Sequence, residues 1–338
     1  MIKSVTAGAV LALIMASGAL APLIMASGAL AQTAAHAPAH PPAHATQAAE
    51  APPPPPPAPA SAPPSEWRTV PPENLMVIET TKGRILVELA PEVAPLHVER
   101  MRLLARNGFF DNLTWHRVID LFMAQTGDPL GTGDGQSAYP DLKAEFTFRR
   151  GPDLPFAPVA APAGAVLGFV RSLPIQTQPD SYMATTADHM VHGWGVYCPG
   201  VAGMARDDNP DSANSQFFLM RQPYPSLDKR YTVWGTVVSG LDVVRNLKTG
   251  AGGSGLVTDP DRMTTVRIAA DLPEADRPSV QVLDTASPRF RAMVDMTRAS
   301  RGADFSVCDI TLPVQVSGGS VVAAAPAGTA PAGASGPR

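Results

Sequence analysis

The sequence predicts a mainly β protein: a closed antiparallel barrel capped by two helices, with a large inserted loop and a C-terminal extension. Three observations predict it. Short apolar runs bounded by turn residues recur from Met76 to Leu272. Within that span only two segments carry helical spacing. Many short strands with few helices bury their apolar faces most readily as a closed sheet with helices packed over it.

The elements follow in order. MVIETTKGRILVELA (76–90) reads as two β-runs around a Thr-Lys-Gly turn, the pattern of a hairpin. PLHVERMRLLARNGFF (95–110) starts on proline, spaces Val98, Met101 and Leu104 helically with Leu103 beside them, and stops at Gly108. Further β-runs are expected at 114–119, 122–126, 200–205, 215–220 and 231–238. LDVVRNLKTG (241–250) reads as a second helix closed by Gly250, and TTVRIAADL (264–272) as the last strand. Residues 149–197 show little periodicity and many Pro and Gly. An insertion of that length is either functional or ordered in its own right. Residues 274–316 add two β-like runs, PSVQVLDT and FSVCDITLPVQV, around the helical pattern SPRFRAMVDMTRAS.

Composition bounds the function. The 338 residues are 17% charged, with a net charge of −4 and no basic block, which argues against nucleic-acid binding. Lys3 is the only charge before Glu50, and the apolar run behind it ends in Ala-Leu-Ala at 19–21 and at 29–31, as in a secretory signal. LIMASGALA occurs twice, at 13–21 and 23–31, so a retained membrane anchor is the alternative. Residues 32–72 carry fourteen prolines, six of them unbroken at 52–57, and read as an extended tether in which His36, His40 and His44 are solvated. The expected organisation is a signal (1–31), a linker (32–72), one domain (73–273) holding the insertion, an extension (274–316) and an Ala/Gly/Pro tail (317–338). The chain is expected in the periplasm as a monomer without a cofactor. Cys198 and Cys308 are the only cysteines, and an even pair in an exported chain favours a disulfide over two buried thiols.

Two segments carry the chemistry: WHRVIDLFMAQTGD (115–128) and NSQFFLM (214–220). The spacing Arg-x4-Phe-Met-x-Gln-x-Gly-Asp is met by Arg117, Phe122, Met123, Gln125, Gly127 and Asp128. Together with GVAGMARDDNPDSANSQFFLM (200–220) and LDKRYTVWGTVVSGLDVV (227–244), these segments resemble the cyclophilin family of peptidyl-prolyl isomerases, and its bacterial branch in particular. The resemblance covers 76–148 and 199–272. It implies an eight-stranded barrel, proline-containing extended or unfolded segments as partners, and Arg117 as the catalytic arginine with Gln125 as its polar neighbour. It also implies a proline pocket of Phe122, Met123, Phe218 and Leu227, with Gln216 and Ala205 on the peptide-binding wall and Arg206 and Tyr231 as further substrate-binding positions. Three positions depart from the family pattern: Arg206 stands where an Asn is frequent, Ser226 where an aromatic is usual, and Tyr231 where a His is common. The first two keep open a second reading, a binding or scaffold protein with weak turnover.

Taken singly, Arg117 reads as a surface arginine and Phe122–Met123 as core; their combination with Gln216, Phe218 and Leu227 makes a pocket. Other signals are weaker. GTGDG (131–135) lacks the Gly-Lys-Ser/Thr ending of a phosphate loop. Asp207, Asp208, Asn209 and Asp211 lack the bidentate Glu of a calcium loop and read as a solvated turn. His116 is expected to pack, and His189, His192 and Cys198 do not have the spacing of a zinc motif. No metal site is expected.

Overall fold

The computed structural model describes residues 66–319, so the expected signal, most of the linker with its three histidines and most of the tail lie outside the described residues. Sixteen strands are found among them. In chain order these are β1 (Trp67–Thr69), β2 (Leu75–Thr80), β3 (Gly83–Leu89), β4 (Arg117–Ile119), β5 (Met123–Thr126), β6 (Phe148–Arg150), β7 (Ala157–Ala160) and β8 (Val166–Val170). They continue with β9 (Leu173–Thr177), β10 (Val191–Gly195), β11 (Val201–Met204), β12 (Phe217–Met220), β13 (Val233–Ser239), β14 (Met263–Ile268), β15 (Ser279–Leu283) and β16 (Val314–Ser317). The α-helices are α1 (Pro95–Arg106), α2 (Leu241–Asn246) and α3 (Pro288–Arg301).

Eight strands form one antiparallel sheet in the order β14-β2-β3-β13-β11-β12-β5-β4. The sheet curls but does not close, which corrects the expectation of a closed barrel. Two isolated bridges, Thr114 to Arg262 and Arg117 to Leu256, and scattered backbone hydrogen bonds such as Val118 N to the Gly255 carbonyl join its edges without a continuous ladder. The reason is local: the segment beside β4 carries Gly250, Gly252, Gly253, Gly255 and Pro260, and such residues weaken or interrupt a continuous ladder. Helices α1 and α2 bury Val98, Met101, Leu104 and Val244 in the cluster inside the curl.

The hairpin shows why its apolar run is continuous. Met76, Ile78, Ile85 and Val87 point into the curl, whereas Leu75, Val77 and Leu86 point outward. The outward set is covered by Val280 and Val282 of β15. Alternation on a strand thus serves two cores at once. The cover is a three-stranded sheet, β1-β15-β16, so Trp67–Thr69 is a strand inside the stretch read as linker.

The insertion is an ordered five-stranded antiparallel sheet, β6-β10-β9-β8-β7. It buries Val159, Phe169, Val170, Leu173 and Ile175 in a second cluster, which also takes Phe290 and Val294 of α3. In the extension the run 305–316 is a strand only from Val314. Before it, Ser306 and Asp309 form a capping box around a short 3-10 turn, Val307–Asp309. Cys308 of that turn is disulfide-bonded to Cys198, with Cα atoms 5.1 Å apart, so the expected staple joins the extension to the end of the insertion.

Candidate active site

Alternation builds the site from β5, β11 and β12. Ala124, Ala202, Met204, Phe217 and Leu219 point into the curl. Met123, Val201, Phe218 and Met220 therefore face the opposite side, in the second cluster. Register then aligns the functional groups: Gln125 sits opposite Arg117 on one neighbour and opposite Phe218 on the other. At the end of β5 the chain needs Gly127, with φ of +86°, because a Cβ there would meet the Ser215 carbonyl oxygen at 2.3 Å.

These strands frame a cleft of about 370 Å³ lined by Arg117, Phe122, Met123, Gln125, Gly133, Ala205, Arg206, Phe218, Leu227 and Tyr231. Nine of the ten predicted site residues are among them. The tenth, Gln216, lines a more polar hollow of about 360 Å³ that shares Gln125, Gly133, Ala205 and Arg206 with the first.

A row of amides runs along the boundary. Arg117 Nη1 donates to Gln125 Oε1 at 3.0 Å, and Gln125 Nε2 donates to Gln216 Oε1 at 2.9 Å. Gln216 Nε2 then donates to the carbonyls of Gly133 (2.7 Å) and Gly135 (2.8 Å). Each amide is oriented by its neighbour, so the row is internally consistent. Arg117 Nε donates to the Ser254 carbonyl at 2.9 Å. Its Nη2 has no hydrogen bond, and no carboxylate lies within ion-pair distance of it among the described residues. Burial pushes the Arg117 guanidinium below the ordinary arginine value, and Tyr231 acts in the opposite direction.

The pocket floor is aromatic. Phe218 stacks on Tyr197 at 5.7 Å and meets Tyr231 edge-on at 5.8 Å. Phe122 lies 4.4 Å from the ring of Tyr224. Arg206 has its guanidinium 4.6 Å from the Tyr231 ring centre and donates to the Arg230 carbonyl. Sequence reasoning missed Tyr197, Tyr224, Gly133 and the Ser254 carbonyl. The last two act through backbone oxygens, which no side-chain pattern announces.

The glycine loop 131–135 is organised by Asp128, whose carboxylate accepts from the amides of Leu130, Thr132 and Gly133 at 2.5–2.9 Å. Burial alone would raise the Asp128 carboxyl; the amides of Leu130, Gly133, Gly135 and Thr132 outweigh it and hold it below the usual carboxylate range. In the acidic turn, Asp207 accepts from Asn209 N, and Asn209 accepts from Asp211 N. Cys198 is bonded to Cys308, which removes the thiolate from the His189–His192–Cys198 set. His116 is buried, and burial lowers its pKa.

The chain is similar to known proteins in sequence and in fold. The sequence model described as cyclophilin type peptidyl-prolyl cis-trans isomerase/CLD matches residues 75–269. A probable peptidyl-prolyl cis-trans isomerase of Brucella suis is 35% identical over 212 residues, covering 59% of this chain and 85% of that protein. A peptidyl-prolyl cis-trans isomerase of Arabidopsis thaliana is 32% identical over 179 residues, covering 52% of this chain and 21% of that one. The crystal structure of the cyclophilin AquaCyp293 from Hirschia baltica superposes with a TM-score of 0.70 at 35% identity. It covers 76% of this chain and 96% of its own, a larger share of this chain than the family-matched region. On the matched region, the bacterial relative and the shared fold, the chain belongs to the cyclophilin-type peptidyl-prolyl cis-trans isomerase family.

Proposed function

We propose that this chain accelerates X–Pro rotation in exported proteins through Arg117, held over an apolar proline pocket. The observation that carries the reading is the pairing of a carboxylate-free guanidinium with an apolar floor. Arg117 is fixed at Nε and Nη1, and its Nη2 is left for a ligand, beside Phe122, Met123, Phe218 and Leu227.

Rotation about an X–Pro bond meets a barrier of about 18–20 kcal/mol from amide resonance. Neither a nucleophile nor a proton transfer is required. The site must hold the twisted amide, with its pyramidal nitrogen, better than either planar form. The prolyl nitrogen lone pair becomes an acceptor only in that twisted state, and a guanidinium donor then gains a bond absent from the ground state. One such charge-assisted bond supplies roughly 3 kcal/mol, about two orders of magnitude in rate. The aromatic floor grips the pyrrolidine ring while the preceding carbonyl turns. It also excludes water, which strengthens the arginine contact. Gln125 orients the guanidinium, and Gln216 and Ala205 offer the substrate backbone a wall.

The apolar start, its Ala-Leu-Ala ends and the Cys198–Cys308 bond support an oxidising, periplasmic location. The test is a protease-coupled assay on an Ala-Pro peptide. The reading expects turnover by the wild type and a drop of about tenfold in kcat/KM for Phe218→Ala. A wild type without measurable turnover against any X–Pro peptide would leave the cleft as a binding groove.

A further inference from the structure

One wall of the cleft is the loop from Arg221 to Tyr231, which carries Leu227 and Tyr231 and places Tyr224 against Phe122. Its own internal structure is a single 3-10 turn, Pro225–Leu227, and Tyr224, Pro225, Ser226 and Lys229 are exposed. Three contacts tie this loop to one short stretch at the end of the inserted sheet. Tyr224 N donates to the Tyr197 carbonyl at 2.9 Å, and Tyr197 N donates to Asp228 Oδ1 at 3.0 Å. The Lys229 ammonium lies 3.8 Å from the centre of the Trp194 ring.

Tyr197 also supports the floor. Its ring, 1% exposed, lies nearly parallel to Phe218, with 25° between the planes. Gly203 makes room for the pair, since a Cβ there would come within 2.6 Å of both the Tyr197 hydroxyl and the Phe218 ring. Floor and wall therefore rest on the same few residues, at the end of the inserted sheet.

We propose that Trp194 and Tyr197 are positioning residues for prolyl isomerisation: the end of the inserted sheet sets the spacing between Phe218 and Leu227, and so the fit of the proline ring. This rests on the isomerase reading of the cleft. The wall touches the pyrrolidine ring in the ground and twisted states alike, so loosening it removes uniform binding and raises KM. The barrier itself depends on Arg117, so kcat is nearly kept. A purely structural role would instead reduce the folded fraction, lowering apparent kcat at constant KM.

The experiment measures kcat and KM separately for the full-length chain on an Ala-Pro peptide. Trp194→Leu and Lys229→Gln should raise KM by about threefold, and Tyr197→Leu by about tenfold, with kcat within about twofold of wild type. Lys229→Arg should restore the wild-type KM, because a guanidinium also sits over an indole face. Should Tyr197→Leu fail to fold, Trp194→Leu and Lys229→Gln decide the matter, since Lys229 is exposed and Trp194 half-buried. Unmoved KM in both, or a fall in kcat alone, overturns the proposal. Arg117→Ala separates the two readings. If it loses turnover while the positioning variants keep their KM, only this inference fails; if it is as active as wild type, the arginine mechanism fails.

Discussion

Phe217 and Phe218 are adjacent on β12 and serve opposite faces of the same sheet. Phe217 is fully buried inside the curl, edge-on to Phe110, Trp115 and Trp234 with ring centres 5.5–6.1 Å apart. That cluster is filled by shape alone: the indole nitrogens of Trp115 and Trp234 have no hydrogen-bond partner. Phe218, 5% exposed, forms the floor of a cleft bordered by Arg117, Gln125 and Arg206. The inner face spends its aromatics on volume, and the outer face uses them to shape a recess under polar groups. One four-residue strand thus packs the interior with one side and lines the cleft with the other, divided by its period of two.

The division can be broken or sharpened by variants, taken here from the largest expected effect. The outer region holds the disulfide. In the chain-entropy model, removing a closure of 110 residues costs about 4–5 kcal/mol. Cys198→Ala with Cys308→Ala should lower Tm sharply, and the intact chain should show no free thiol under denaturing, non-reducing conditions. Two titratable thiols per chain would remove the staple from the account.

Next come the two phenylalanines. Phe217→Ala leaves a cavity inside the aromatic cluster and should cost about 3–5 kcal/mol in denaturant unfolding, while the folded fraction keeps its KM. Phe218→Ala should cost less stability and more efficiency. Similar losses of both kinds at both positions would erase the distinction between the faces.

The smallest effect is electrostatic and opposite in sign at two carboxylates. Burial raises Asp228 to about 6 against the opposing Tyr197 amide and Lys229. A group raised in this way contributes stability that is complete below the unfolded carboxylate pKa and is lost as pH rises through about 6. Asp128 is held low, so its contribution is present above the unfolded value and is lost as pH falls. Wild-type Tm should therefore decline modestly between pH 5 and about 7, and Asp228→Asn should flatten that decline. An unchanged slope in Asp228→Asn would show that the carboxyl is not the source.

Much of this geometry was legible in the sequence because it rests on strands. The spacing of Arg117, Phe122, Met123 and Gln125 across one hairpin fixes which side chains share a face. The second segment then has one register that buries Phe217. The inserted sheet was not legible. Its strands run three to five residues and contain Pro158, Pro174, Gly168, Gly193 and Gly195, which hide the alternation. Tyr197 supports Phe218 through a contact between segments, and no local pattern marks such a contact. The open edge was equally hidden: a resemblance in strand order does not say whether the edge strands form a ladder, and here only isolated bridges and single hydrogen bonds join them among the described residues.

The central claim is that Arg117 stabilises the twisted prolyl amide, and one comparison tests it most directly. Exchange between cis and trans forms of an Ala-Pro peptide, followed by NMR with wild type, Arg117→Ala and Arg117→Lys, separates rate from binding. The account predicts that Arg117→Ala slows catalysed exchange by at least about tenfold with Tm nearly unchanged, and that Lys rescues little because it lacks the planar fork. Exchange as fast in Arg117→Ala as in the wild type would contradict it.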